Sequence, residues 1–162
     1  MQIKISHTNH PTHILSDYSG IIAQVNVFKG DIMVNIEKYL ILFLIGGIGY
    51  GAIEVAFRGY THWSMVFTGG TAFLILYMIH NFSDRSIFIK AFWGMIAITA
   101  LELAVGIIVN IIFKLNVWDY TNMPGNFLGQ ITLQFSACWY GLSFIVFLVL
   151  ENIHIFTVLQ KS

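Results

Sequence analysis

Four apolar stretches, 39–57, 65–79, 87–113 and 131–150, each come close to or exceed the length at which a helix crosses a lipid bilayer. A hydrocarbon core of about 30 Å takes roughly 20 residues at ~1.5 Å of rise each, so most of the chain is committed to the membrane. In oil a backbone can satisfy its polar groups only internally, and the many alternating strands of about ten residues that a barrel needs are absent. The expected fold is therefore all-α, an integral membrane four-helix bundle. Its boundaries are an N-terminal tail over 1–38 and a transmembrane domain over 39–162.

Charge supports the placement: 10% of the residues are charged and 57% hydrophobic, against about 25% charged in a soluble domain. The formal net charge is +0, which gives no reason to expect a nucleic-acid partner; the lipid bilayer is the partner that composition names. The single cysteine, Cys138, falls inside the fourth apolar stretch. One thiol closes no intrachain disulfide and builds no cysteine zinc site, so it reads as a small packing residue.

The tail mixes His7, His10, His13, Pro11, Asp17, Lys29 and Asp31 with apolar runs too short to span. Lys4 is not followed by a signal-peptide core, and no small-x-small cleavage pattern occurs. Residues 19–28 suit a short strand or a surface helix. Met33 lies six residues before the first apolar stretch, which suggests that residues 1–32 are an upstream extension. The three histidines lack a fixed scaffold and a fourth ligand, so they read as a solvated tail rather than a metal tract.

Basic residues set the expected orientation, because short loops that cross the membrane avoid Lys and Arg. With four spans, Lys4, Lys29, Lys38, Arg85, Lys90 and Lys161 share one side, and Arg58 and Lys114 lie on the other. Both termini are then cytoplasmic. Trp63 and Trp118 would sit at the outer boundary and Trp93 near the inner one, where amphipathic rings are stable.

Polar residues recur at helical spacing inside the apolar stretches. In the first, Gly47 and Gly51 form a GxxxG pair suited to close helix packing, followed by Glu54 and Arg58, four apart and able to pair. The third carries Thr99, Glu102, Gly106 and Asn110 on one stripe. A charge near mid-depth costs about 2.5–3.5 kcal/mol even on a lenient scale, so Glu102 should be neutral, paired or beside a wet cavity. The fourth offers Gln130, Gln134, Ala137 and Gly141, and the second Ser64, Thr68 and Thr71. Each stripe alone could be interhelical glue; together they would form a polar core.

Between the third and fourth stretches, Trp118-Asp119-Tyr120 is followed by Pro124-Gly125 and Asn126. Trp118 and Tyr120 suit interface anchors, Pro124-Gly125 a turn, and Asn126 the cap of the fourth helix. Asp119 has no role in that account.

The run Trp118-Asp119-Tyr120, Pro124, Asn126, Gly129-Gln130-Ile131, Leu133, Ser136 and Trp139 resembles the signature of the type IV ABC-transporter permeases, small bacterial membrane proteins. Glu54, Arg58-Gly59, His62-Trp63 and Gly69-Gly70 are similar to that family's first helical pair, so the likeness covers nearly everything after Met33. Thr132 departs from it, standing where many such sequences carry cysteine. The resemblance implies transport. The chain has no GxxxxGK[ST] run to cradle ATP phosphates, so an ATP-driven role needs a separate subunit.

The residues expected to form a substrate or ion site reached from the outer face are Glu54, Arg58, Glu102, Asn110, Asp119, Asn126, Gln130 and Gln134. Arg58 would hold an anionic group or balance Glu54, and Glu102 would be the protonatable member. Four helices are few for a complete permease, which implies a homo-oligomer or a partner subunit. No metal or other cofactor is expected. No enzyme is expected either: HExxH and GxSxG are absent, and Glu102 and Asp119, as acid and base, would differ in depth by about 16 Å unless the loop folds inward. The alternative is a non-transporting sensor or scaffold whose polar stripes fix helix register.

Overall fold

A computed structural model describes residues 11–159, with side chains described at 24, at 33 and over 35–153. In chain order the elements are α1 (Pro11–Arg58), α2 (Trp63–Phe82), α3 (Ile87–Gly106), a π-helical turn continuing it (Ile107–Ile112), the short strands β1 (Asn126–Phe127) and β2 (Ile131–Thr132), and α4 (Leu133–Leu159). Four segments are long and apolar enough to cross a membrane: Asn35–Arg58, Trp63–Phe82, Ile87–Ile112 and Leu133–Ile153. The all-α, membrane-type four-helix reading holds. Residues 19–28 are helical, within α1; His7 and His10, and the side chain of His13, lie outside the described residues, as does the start of the suggested 1–32 extension.

The chain divides into two compact units, Met1–Leu40 and Ile41–Ser162. In the first, the described residues belong to α1, and the described side chains from Asn35 to Leu40 are exposed.

Small residues allow close helix contact in the second unit. An added Cβ on Gly47 would stand 2.7 Å from the Val66 carbonyl oxygen of α2, and one on Gly51 3.3 Å from Val66 Cγ2. The GxxxG pair is thus used as packing. In a bilayer, where lipid is as apolar as leucine, such contact replaces the hydrophobic effect as the source of helix association. Farther along the helices, Leu76, Ala91, Ile98 and Phe147 form an apolar cluster from α2, α3 and α4. Next to it Lys90 of α3 reaches Glu151 of α4, Nζ to Oε1, at 3.2 Å.

The start of α4 differs from expectation. Gln130 and Ile131 precede the helix, and Asn126 does not cap it. Thr132 does: its Oγ1 accepts the Phe135 N–H at 3.2 Å, and its carbonyl accepts the Ser136 hydroxyl at 3.0 Å. A β-bridge of Asn126 with Thr132 and Phe127 with Ile131 brings the chain to that point, so the cap falls six residues later than the Asn-before-helix pattern suggests. The later start also changes which residues face inward. Ser136 and Ser143 turn into the unit, whereas Gln134, Ala137 and Gly141 are exposed.

The stripe on α2 also behaves differently. Thr68 and Thr71 donate to the carbonyls of Ser64 and Phe67 four residues back in their own helix, so these hydroxyls glue nothing across helices. The interhelical hydroxyl contact is Thr99 Oγ1 to Ser136 Oγ, at 3.1 Å.

Candidate functional site

The segment between α3 and α4 is mostly exposed, but it buries Val117 and Trp118 near its start and Gly129 and Gln130 near its end. Buried loop backbone needs partners, and Asn110 supplies both a donor and an acceptor. Its Nδ2 donates to the Trp118 carbonyl at 2.9 Å and to Gln130 Oε1 at 2.8 Å, and its Oδ1 accepts the Val117 N–H at 2.7 Å. Trp118 Nε1 in turn donates to the Gln130 carbonyl at 3.0 Å. Asn110 is buried within the π-helical turn that ends α3. Gly106 makes the room, since a Cβ there would stand 2.6 Å from Gln130 Oε1.

This overturns the reading of Trp118 as a boundary anchor: it is 5% exposed and packs with Met65, Val109 and Val117. Trp63 and Trp93 are exposed, at 67% and 55%.

At the end of α1, Glu54 and Arg58 form the expected i,i+4 pair, with Nη1 at 2.6 Å from Oε1. The pair is tied on both sides. Glu54 Oε2 accepts the Thr61 hydroxyl at 2.5 Å. Arg58 Nη2 donates to the Val117 carbonyl at 2.5 Å and to the Tyr60 hydroxyl at 3.0 Å, with its guanidinium 4.8 Å from the centre of the Tyr60 ring.

Glu102 is 3% exposed. Trp139 Nε1 donates to its Oε2 at 2.8 Å and the Tyr120 hydroxyl to its Oε1 at 3.2 Å. The Tyr120 hydroxyl is held well above the ordinary phenol range, first by burial and then by the Glu102 and Tyr50 oxygens nearby, so it stays protonated and donates. Glu102 takes part in neither the Glu54–Arg58 nor the Lys90–Glu151 ion pair.

Two cavities lie side by side here and share part of their lining. One, of about 230 Å³, is lined by Glu102 with Thr68, Leu76 and Ile98. The other, of about 400 Å³, is lined by Glu54, Arg58, Asp119, Tyr120, Phe135 and Cys138. Tyr50, Ile53, Met65, Trp118 and Trp139 border both.

The family described as "Putative ABC-transporter type IV" matches residues 40–161. The chain belongs to that family. The match takes in both cavities and the whole loop that folds between them. The chain matches no curated protein and no solved structure.

Of the residues expected to form a site in this family member, Glu102 lines the first cavity and Glu54 and Arg58 the second. Asn110 and Gln130 are buried beside them, but they hold the loop, with Gln130 Nε2 also donating to the Leu128 carbonyl at 3.1 Å. Asp119 lines the second cavity from an exposed position. The backbone N–H of Thr121 donates to it at 2.8 Å, and the Thr121 hydroxyl donates as well. These bonds, the hydroxyl first, hold its carboxyl below the usual range. Asn126 is used within the loop, donating to the Thr121 and Met123 carbonyls at 3.0 and 2.8 Å and accepting from Gly129 N. Gln134 is turned away.

Two cavity residues carried no signal in the polar stripes. Tyr50 and Trp139 face each other with ring centres 5.7 Å apart. Trp139 lies three residues after Ser136 and four before Ser143, and that spacing marks the inward face of α4. Tyr50, one position before Gly51, reads as one more apolar residue of its stretch.

Proposed function

We propose that this family member is a multi-pass cell-membrane transporter or permease subunit, not an enzyme, with both termini cytoplasmic and a polar intramembrane site that opens to the outer face. One observation carries the reading: a carboxyl buried within an apolar span, with neutral hydrogen-bond donors and no ion-pair partner among the described residues, lines a cavity that shares five lining residues with a second one carrying the Glu54–Arg58 pair. A carboxyl in oil is costly, and residues of this kind mark ion and substrate paths. With the Glu54–Arg58 pair at the cavity wall and Glu102 deeper, ligand would pass the pair before it meets the carboxyl. The missing phosphate-binding run leaves any ATP-driven step to a separate subunit, and the small helix count favours an oligomer.

The scaffold alternative draws on Asn110 and Gln130, whose polar groups are taken up in holding the loop. A thermal-shift screen of the purified chain against organic cations, organic anions, sugars and amino acids, run on wild type and Glu102→Gln, separates the two. The transport reading expects at least one class to stabilise wild type and to lose that effect in the variant. A variant with lower stability and no wild-type response to any class would favour the scaffold. Copurification of an ATP-binding subunit in mild detergent would add support for transport.

A further inference from the structure

We infer that the two adjacent cavities take an organic cation, an ammonium group carried on an apolar or aromatic frame. The inference rests on the site reading above and narrows its ligand class.

The first argument is charge. Three carboxyls, of Glu54, Glu102 and Asp119, line the two cavities against one guanidinium, that of Arg58. That guanidinium is engaged, with Nη1 on Glu54 and Nη2 on Tyr60 and on the Val117 carbonyl. An arriving anion would have to displace these bonds and would meet Glu102 next. An arriving cation meets a carboxyl whose partners, the Trp139 indole and the Tyr120 hydroxyl, are both neutral. It supplies the missing counter-charge.

The second argument is the wall. Tyr50 and Trp139 stand 5.7 Å apart at a tilt, Tyr120 stacks on Phe135 at 4.7 Å, and Trp118 borders both cavities. Aromatic faces attract cations, most of all when water is excluded, and cages of aromatic rings are a recurrent means of recognising substituted ammonium groups. Ile53 and Met65 complete the wall with surface suited to a hydrocarbon frame. A small metal ion is served less well, because hard cations require several oxygen ligands at once. Among the described residues no group of three or more His, Cys, Asp or Glu side chains gathers to hold one.

The test uses three probes that share a benzyl or phenyl frame: benzyltrimethylammonium, benzyl alcohol and benzoate. Each is titrated into the purified full-length chain in detergent at constant ionic strength, with tryptophan fluorescence as the readout. The expected result is saturable binding of benzyltrimethylammonium, at least tenfold tighter than either of the other probes and at least tenfold weaker in Glu102→Gln. Should that variant fail to fold, the discrimination by wild type among the three probes decides the matter. Benzoate binding as tightly as the cation, or more tightly, overturns the cation assignment while leaving a ligand site in place. Equal binding of benzyl alcohol overturns it in favour of an apolar pocket. No saturable binding of any probe removes the cation assignment and the site reading together.

Discussion

Around Leu76, Ala91, Ile98 and Phe147 the helices meet through apolar contact. The hydroxyl of Ser143, 0% exposed, finds no hydrogen-bond partner among the described residues. Around Asn110 and Trp118, an equally buried region is held by directed hydrogen bonds between a loop and the helices. The first region is held by shape, with the Lys90–Glu151 pair beside it. The second also needs matched donors and acceptors, and it is where the cavities lie. Apolar packing can hold helices together in lipid, so the investment in polar groups at one end calls for an explanation beyond assembly. Part of that explanation is structural, because the buried loop backbone must be satisfied. Glu102 satisfies no backbone group, and its cost is left to function.

The contrast can be broken most severely at Asn110. Asn110→Leu leaves the Val117 N–H, the Trp118 carbonyl and Gln130 Oε1 without their partner, and each unsatisfied buried group costs about 1–3 kcal/mol. We expect a loss of about 3–5 kcal/mol in thermal or denaturant unfolding, together with protease cleavage between 113 and 131. A loss below about 1 kcal/mol would mean the loop is held by other contacts.

Gly94→Ala probes the apolar region. Its Cβ would stand 2.6 Å from Leu76 Cδ2 and 2.7 Å from Ser143 Oγ. Overpacking of this sort costs about 1–3 kcal/mol, read as a lower unfolding temperature with the loop still protected from protease.

Ser143→Ala should act in the opposite direction, because it removes a buried hydroxyl that makes no bond: stability is expected to stay equal or rise by up to about 1 kcal/mol. A clear loss would show that the hydroxyl has a partner in the assembled protein.

The smallest expected effect is at Asp119. Its carboxyl is held below the usual range by Thr121, so its contribution is present above the unfolded-state value of about 3.9 and fades as pH falls through the lower folded-state value. Asp119→Asn should therefore differ slightly from wild type at neutral pH, and the two should converge in acid. A difference that grows as the pH falls would contradict this.

The four spans were legible because a bilayer demands long apolar helices, and little else can hide so many apolar residues. The Glu54–Arg58 pair was legible from its spacing within one α-helix, and so was the inward stripe of Thr99, Glu102 and Gly106 on α3, which Asn110 continues from the π-helical turn. The inward fold of the loop was not. Trp118 and Tyr120 have the chemistry of interface anchors, and nothing local reveals that Asn110 and Gln130 will draw them inside. Gln134 was placed on the inner face by counting from a helix assumed to begin near Gln130. A cap at Thr132 and a start at Leu133 put Ser136, Trp139 and Ser143 there instead.

Cys138 provides the most direct test of the outward-opening cavity, because it is the chain's only cysteine and it lines the cavity that holds Glu54 and Arg58. A membrane-impermeant thiosulfonate reagent applied to intact cells is expected to modify Cys138, and benzyltrimethylammonium in the medium is expected to slow the reaction. Modification only in inside-out vesicles, or only after detergent, would contradict the account.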